Sequence, residues 1–194
     1  MDINEQTQPL NAEQIEEIVI AIQTGRVEQY RLLVLHFQRR MHLYCYHMLG
    51  NRVESEDAVQ EVFLKCYRMI EKYRNSISFA AWMYKIAYHH CLNLIKKRKV
   101  QQRLISFIKL ERKTETPPHY STLVEEILDG LSAGDRQLLI LRTLEERSFT
   151  EISEITGSTS ITLRKKFERI KKKINKKHIR KEFSDEKQSI FQES

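Results

Sequence analysis

The chain has 194 residues, a length that suits one globular domain or two small ones. With only 5 Gly and 3 Pro it lacks the turn residues that an all-β fold needs, which favours long helices joined by short connections. Lys and Arg outnumber Asp and Glu by 33 to 26, and the net charge of +7 suggests a polyanionic partner, either nucleic acid or an anionic membrane surface.

No stretch approaches the ~18–20 apolar residues that a membrane span requires, and the polar, acidic start of the chain is the opposite of a secretory signal. We therefore expect a cytoplasmic protein without direct membrane insertion. Cys45, Cys66 and Cys91 are widely spaced and form no C-x-x-C pair, which is typical of reduced, buried thiols. We predict neither a metal site nor a cofactor.

Residues 11–99 are predicted to form one domain of amphipathic helices, because apolar residues recur at spacings of three and four. The first helix ends at Gly25, the second runs from about Val27 to Leu49, and the third begins near Glu54. The buried stripe of the third helix is expected to include Cys66, Tyr67 and Ile70. After a loop at 73–77, Ser78 can cap a fourth helix, whose apolar stripe includes Trp82 as a core residue.

The pattern then changes over residues 100–120, which lose helical periodicity and contain Pro117-Pro118. We predict a flexible linker there, a second domain at 121–181 and a disordered tail at 182–194. The expected fold is all-α, with two small helical domains.

Local capping signals divide the second domain into short helices. Ser132 to Asp135 and Ser148 to Glu151 both fit the S-x-x-D/E capping box, in which a hydroxyl and a carboxylate satisfy free backbone N–H groups. Gly157 can supply a left-handed turn, and Thr159 can cap the helix that follows. This arrangement is typical of a helix-turn-helix.

The last helix is predicted to present a basic face. Leu163, Phe167, Ile170 and Ile174 must face the core. The opposite side of the helix then holds Ile161, Lys165, Glu168 and Lys172, with Arg164 and Arg169 at its flanks. Between residues 161 and 181 there are eleven Lys or Arg and one Glu, enough for many phosphate contacts. Arg and Lys can bond guanine, and Glu can accept from cytosine, if the helix enters a major groove. Taken alone, such a charge run could also be a solvated face.

The two halves together resemble the extracytoplasmic-function (ECF) group of the bacterial sigma-70 family, over about Val27–Lys99 and Thr122–Lys176. Residues 54–67 are similar to the family pattern E-D-x-x-Q-x-x-F-L-x-x-Y, a helix that docks on the β′ clamp helices of RNA polymerase. The resemblance implies a core-polymerase-binding face, and the helical wheel leaves its members off the buried stripe: Asp57, Gln60, Glu61, Leu64 and Arg68.

Phe79 to Ala87 resembles the family segment F-x-x-W-L-x-x-I-A. In the family the preceding loop captures a base flipped from the −10 promoter element, and the helix lies along the opened DNA. The implied capture loop runs from Tyr73 to Ser78. The implied −10 contacts are Tyr73, Arg74, Asn75 and Ser76 in the loop and Lys85, Tyr88, His89, Asn93 and Lys96 on the helix.

Leu131 to Arg142 and Phe149 to Gly157 resemble family region 4, which implies that the segment from Ser160 to Lys172 reads the −35 element. Ala133 stands where the family usually has Pro, and Ser158 to Lys166 departs from the common I-S-x-G-T-V-K-x-R. Promoter preference is therefore expected to differ from that of better-known relatives.

The resemblance implies a transcription initiation factor that binds RNA polymerase core through the β′ clamp helices and the β flap. It also implies an anti-sigma partner, often membrane-bound, that holds the factor inactive. No Gly-rich phosphate loop, nucleophile elbow or paired-carboxylate motif points to an enzyme. Two alternatives stay open: an autonomous helix-turn-helix regulator, and a small RNA-binding or membrane-surface protein that uses the basic helix.

Overall fold

The computed structural model describes residues 10–108 and 123–192 of the chain, with side chains described within 10–104 and 124–176. Every regular element in these ranges is a helix, which confirms the all-α prediction. The described residues form two compact units, 10–108 and 123–192. Within these ranges, no helix combines the length and the apolar character needed to cross a bilayer.

The first unit contains α1 (Ala12–Gln23), α2 (Tyr30–Leu49), α3 (Arg52–Met69) and α4 (Phe79–Ile108), with short 3-10 turns at Val27–Gln29 and Ile70–Lys72. Asn11 and Gln14 form a reciprocal capping box at the start of α1. Gly50 ends α2 in the left-handed region, with φ of 65°, and the Asn51 side chain accepts from the Glu54 N–H to begin α3. Adjacent caps thus reverse the chain between α2 and α3.

The core of the first unit lies between α2, α3 and α4. Its fully buried side chains come from all three helices: Leu33, Phe37, Met41 and Tyr44, then Ala58 and Val62, then Met83, Tyr84 and Ala87. The three cysteines are free and buried, and the Sγ atoms of Cys45 and Cys91 lie 3.9 Å apart. Burial raises the pKa of the Cys66 thiol to about 12, so that group stays protonated and packs as a small apolar side chain.

Helix α4 is longer than the sequence predicts. The linker was expected from residue 100, but the helix continues to Ile108. No Gly or Pro interrupts residues 79–108, and an exposed helix needs no apolar stripe, so the loss of periodicity after Lys99 did not mark its end. The rest of the expected linker, 109–120, lies outside the described residues.

The second unit contains α5 (Leu123–Asp129), α6 (Ala133–Thr143), α7 (Phe149–Thr156) and α8 (Ser160–Gln192). Helices α6 and α7 both pack on α8. The buried side chains of this unit, including one from α5 and one from the turn before α6, form a small apolar core: Leu128, Leu131, Leu138, Ile140, Leu141, Ile152, Ile155, Leu163 and Ile170.

The predicted caps of the second unit are present, with one difference. Ser148 and Glu151 form the full box, Gly157 adopts φ of 71°, and Thr159 Oγ1 accepts from the Thr162 N–H at 3.3 Å. At the other predicted box the hydroxyl of Ser132 accepts from the Asp135 N–H at 3.2 Å, but the Asp135 carboxylate lies 3.3 Å from Lys166 Nζ instead. That carboxylate therefore ties α6 to α8.

The expected disordered tail at 182–194 also differs from the structure, which continues α8 to Gln192. No Gly or Pro follows Gly157, so the two strongest helix-ending residue types are missing from this part of the sequence. Residues 193–194 lie outside the described ranges.

Candidate nucleic-acid and partner interfaces

Helices α7 and α8 are joined at a short turn that fixes the start of α8. The Ser160 hydroxyl donates to the Phe149 carbonyl at 3.2 Å and is half-buried. Ser160, predicted to contact DNA, therefore bonds the first residue of α7. The turn at Gly157 and this hydrogen bond set the angle at which α8 leaves α7.

The outward face of α8 carries the predicted DNA-reading side chains. Leu163 and Ile170 are buried, whereas Ile161 is 70% exposed at the N-terminal end of the helix. The charged members of this face are exposed and line a shallow groove of about 460 Å³: Arg164, Lys165, Glu168, Arg169 and Lys172. Four cations and one carboxylate on an open face are suited to phosphates and base edges.

Some of these side chains already have partners within the unit. Arg164 and Arg142 both lie over the ring of Phe149, with their guanidinium carbons 5.5 and 5.1 Å from its centroid. Glu168 pairs with Lys171 at 3.0 Å, and Arg169 lies 3.8 Å from Asp135. Sequence reasoning missed the stacking on Phe149, because it read that residue only as the start of a helix.

A second groove, of about 300 Å³, lies between α3 and α4 in the first unit. Lys85, His89 and Asn93 line it from successive turns of α4, all exposed, and Lys65 lines it from α3. Lys96 is exposed further along α4 and Tyr88 is half-buried. These residues include every predicted −10 contact on the helix.

Trp82 also lines this groove and is half-buried, so the prediction that it is only a core residue was incomplete. One part of its ring packs on Tyr73 and Phe79, at centroid distances of 5.3 and 5.5 Å. Because an apolar stripe residue at the edge of a helix bundle can be reached from solvent, the spacing alone could not separate these two roles.

Lys65 and His90 form a contact that sequence reasoning did not find. Lys65 Nζ donates to His90 Nδ1 at 2.7 Å, so the imidazole accepts in its neutral form. Burial and the Lys65 charge lower the pKa of His90, while Glu61 acts in the opposite direction. No sequence pattern joins these two residues, which lie 25 positions apart on different helices.

Tyr73, predicted to contact −10 DNA, is buried within the first unit. Its side chain is only 4% exposed, and its ring packs on Phe79 and Trp82. The hydroxyl lies 2.9 Å from both carboxylate oxygens of Glu16 and 2.8 Å from the Ile77 carbonyl oxygen. Burial, with the negative charge of Glu16, raises the pKa of the Tyr73 phenol, so it remains a hydrogen-bond donor.

The other predicted members of this loop are accessible. Arg74, Asn75 and Ser76 are all exposed, and Arg74 Nη1 donates to the carbonyls of Glu71 and Tyr73 at 2.8 and 2.9 Å. The loop therefore presents three polar residues between a buried Tyr73 and the capped start of α4, where Ser78 Oγ accepts from the Ala81 N–H.

The predicted polymerase-binding face of α3 is exposed throughout: Asp57, Gln60, Glu61, Leu64 and Arg68. Leu64 is 44% exposed among charged and amide neighbours. Tyr67, expected in the buried stripe, is 43% exposed and meets the ring of Tyr30 edge-on at 5.1 Å. The Tyr30 hydroxyl donates to the Phe63 carbonyl at 2.6 Å, so Tyr30 occupies the space beside α3 and leaves Tyr67 at its rim.

Two family models match the chain. The model described as "Sigma-70 region 2" matches residues 33–100, and the one described as "Sigma-70, region 4" matches residues 121–174. A curated relative, the ECF RNA polymerase sigma factor SigW of Bacillus subtilis (strain 168), is 24% identical over 181 residues, which cover 84% of this chain and 95% of SigW.

Two solved structures are similar in fold. One is CnrH, in complex with the cytosolic domain of CnrY, with a TM-score of 0.65 and 15% identity over 83% of this chain and 94% of that one. The other is the sigma factor RpoE in complex with the anti-sigma factor NepR from Bartonella quintana, with a TM-score of 0.62 and 18% identity over 77% of this chain and 96% of that one.

Proposed function

The chain belongs to the ECF group of the bacterial sigma-70 family, with region 2 in its first unit and region 4 in its second, and on this basis we propose that it is an alternative sigma factor directing RNA polymerase to a specific set of promoters. The observation that supports this most strongly is the presence of three separate polar faces, on α3, α4 and α8, at the positions that the family motifs indicate. An autonomous regulator needs only the last of them.

The face of α3 binds the β′ clamp helices of core polymerase. A carboxylate, an amide and a half-exposed leucine in adjacent turns give both hydrogen bonding and apolar contact, as protein interfaces require. Asp57, Gln60 and Glu61 supply the polar contacts, and Leu64 supplies apolar area, with Arg68 at the end of the face.

The loop at 74–78 and the outer face of α4 hold the opened −10 DNA. A base taken out of the stack needs a small pocket with polar groups for its edge, and Arg74, Asn75 and Ser76 offer these. Lys85, His89, Asn93 and Lys96 follow the strand along α4, and the half-buried Trp82 lies at the floor of the groove beside them.

The α8 face enters the major groove of the −35 element, with Ile161 at its leading end. Arg164, Lys165 and Glu168 approach base edges, while Arg169 and Lys172 contact phosphates. The second unit also contacts the β flap. Because the binding is dominated by Lys and Arg, the affinity for −35 DNA falls steeply as the salt concentration rises.

The factor acts in the cytoplasm without catalysing a reaction of its own, and an anti-sigma protein, which could hold it at the membrane, keeps it inactive. The fold is shared with RpoE, whose solved structure contains an anti-sigma factor, and this supports such a partner here. The inhibitor is proposed to cover the α3 and α8 faces, since polymerase and promoter then become inaccessible together.

The assignment of α3 is tested by the double variant Gln60→Ala with Glu61→Ala in the full chain. We expect its affinity for purified core polymerase to fall by about tenfold or more, since truncated central contacts dominate interface energies. A matched control, Glu17→Ala with Gln102→Ala, removes the same residue types from exposed positions of α1 and α4 and should bind as the wild type does. Equal affinity of both variants, with unchanged melting temperatures, would mean that α3 is not the docking helix.

A further inference from the structure

Helix α1 lies outside the region 2 match, which begins at residue 33, yet its polar side chains reach the loop that follows α3. Gln23 Nε2 donates to the Ile70 carbonyl at 2.8 Å and to the Tyr73 carbonyl at 3.1 Å. Ile70 is the first residue of the 3-10 turn, and Tyr73 is the first residue after it. Gln23 thus fixes the point at which the chain leaves α3.

Glu16 fixes the other side of the same loop. One of its carboxylate oxygens accepts from the Phe79 N–H, the first amide of α4, at 2.8 Å, and both lie 2.9 Å from the Tyr73 hydroxyl. A carboxylate at a helix N-terminus is favoured by the free N–H groups and the helix dipole there. A single side chain of α1 therefore holds residues 73 and 79 at a set separation.

Between these two fixed points Arg74, Asn75, Ser76 and Ser78 are exposed and Ile77 is half-buried. Inside the loop, Arg74 bonds the Glu71 and Tyr73 carbonyls, and the Tyr73 hydroxyl lies 2.8 Å from the Ile77 carbonyl oxygen. Glu16 and Gln23 add contacts from α1 to the two ends of the loop. The ring of Tyr73 is packed on Phe79 and Trp82 independently of its hydroxyl, so loss of Glu16 should loosen the loop without opening the core.

We propose that Glu16 and Gln23 are positioning residues that hold the 74–78 loop in the conformation that captures an unpaired −10 base. This inference rests on the proposed function of that loop. Neither residue touches DNA; both act by restricting the loop before DNA arrives. If the loop samples many conformations, its observed affinity is the intrinsic affinity multiplied by the fraction of time spent in the binding-competent conformation. A loosened loop therefore binds the base more weakly.

Whether Glu16 and Gln23 restrain the loop is tested without DNA, by hydrogen exchange on the full chain. Glu16→Ala with Gln23→Ala should speed exchange of the Phe79 amide about tenfold, because local opening becomes easier. The control Glu17→Ala removes the next carboxylate of α1, which is exposed, and should leave that amide unchanged. Wild-type exchange at Phe79 in the double variant would overturn the inference.

The consequence is tested with the polymerase holoenzyme and a fork-junction DNA whose −10 non-template strand is single-stranded, taken from a promoter mapped by run-off transcription. The readout is the affinity for the intact strand divided by that for the same strand with an abasic site at the captured base. We expect this ratio to fall about tenfold in the double variant, while core affinity and binding to the duplex −35 part stay at wild-type values.

A folding defect in the double variant would lower the affinity ratio, the core affinity and the binding to the duplex −35 part together. In that case the variant Tyr73→Phe provides the test. This variant keeps the ring and removes only the hydroxyl, so it should lower the ratio in the same direction by a smaller factor; an unchanged ratio in Tyr73→Phe would overturn the inference. The wild-type ratio could instead be near one while the Phe79 amide still exchanges faster in the double variant. That result would contradict base capture by the loop, but not the restraint of the loop by Glu16 and Gln23.

Discussion

Two guanidinium groups lie over the ring of Phe149, and one of them, that of Arg164, belongs to the proposed −35 face. With Arg164 5.5 Å and Arg142 5.1 Å from the ring centroid, the ring restricts where the Arg164 side chain can point. A base-reading arginine that is already oriented loses less conformational entropy when it binds. We therefore expect Phe149 to support the proposed DNA interface without touching DNA.

Replacing Phe149 by Leu keeps an apolar side chain at the start of α7 and removes the aromatic face. Since a cation–π contact at an exposed site contributes ~0.5–1 kcal/mol, we expect the affinity for −35 duplex DNA to fall about two- to fivefold. Fluorescence anisotropy measures this. Phe149→Tyr retains the ring and should bind as the wild type does; a loss of the same size in Phe149→Tyr would mean that the ring face is irrelevant.

His90 is predicted to titrate below the ordinary histidine pKa of 6.5, because burial and Lys65 both disfavour its charged form. Lys65→Met should raise the pKa of His90, because it removes a cation 2.7 Å from the imidazole. The negative charge of Glu61, which raises the pKa of His90, is then no longer offset by Lys65. NMR titration of the imidazole measures the change. Lys85→Met, in the same groove, is the control and should leave the pKa of His90 where it is.

Individual residues also show where sequence reasoning stops. Ser78, Ser148 and Gly157 were predicted correctly because a cap depends on residues within one turn of the chain. Tyr73 was assigned to DNA by its place in a motif, but its side chain is buried and its hydroxyl contacts Glu16, 57 residues away. No local pattern carries information about such a partner.

At the scale of helices, α7 is a short element whose stability depends on its ends. The Ser148 hydroxyl accepts from the Glu151 N–H at 3.2 Å, and the Glu151 carboxylate accepts from the Ser148 N–H at 2.8 Å and from Arg147. Eight residues make a helix that is marginal without such caps and without packing on α8. The DNA-binding unit is therefore sensitive to this one box.

Ser148→Ala should lower the free energy of unfolding of the second unit by about 1 kcal/mol, the usual effect of removing an N-cap hydroxyl. Urea denaturation followed by circular dichroism checks this. Ser153→Ala is a matched control, because Ser153 lies inside α7 and its hydroxyl only donates to the Thr150 carbonyl. Destabilisation of similar size in both variants would argue against a specific effect of the cap.

The same box predicts a dependence on pH. Burial alone would raise the pKa of Glu151, but hydrogen bonds from Arg147 and Ser148 outweigh it and lower the pKa below 4.5. A carboxylate whose pKa is lower in the folded state than in the unfolded state stabilises the fold fully at pH values above its unfolded-state pKa. That contribution is lost as the pH falls through the folded-state pKa. The second unit should therefore lose stability below about pH 4.5, and Glu151→Gln should flatten this dependence. An equally steep profile in Glu151→Gln would contradict it.

The lengths of α4 and α8 were the least predictable features among the helices. Both continue past the point where apolar periodicity ends, to Ile108 and Gln192, because no Gly or Pro stops them. Hydrophobic periodicity reports burial, and a helix that leaves its core behind no longer needs it. The exposed positions named for α3 and α8, in contrast, followed from the spacing of their buried residues, with Tyr67 of α3 as the exception.

At the scale of the whole molecule, each of the two compact units has its own core and its own polar faces. In the proposed mechanism, region 4 anchors the −35 duplex while region 2 docks on polymerase and captures the opened −10 strand. Sequence motifs indicated this division, since each motif lies within one unit.

Run-off transcription with purified core polymerase tests this account most directly. The full chain added to core should start transcripts at discrete genomic sites that share a −35 and a −10 element. At limiting concentrations of the chain, Gln60→Ala with Glu61→Ala should lower the yield of these transcripts, because docking on core is weakened. The account would be contradicted by a chain that binds no core and yields no discrete start. A palindromic footprint formed without polymerase would instead identify an autonomous regulator, and binding without any sequence preference would identify an RNA-binding or membrane-surface protein.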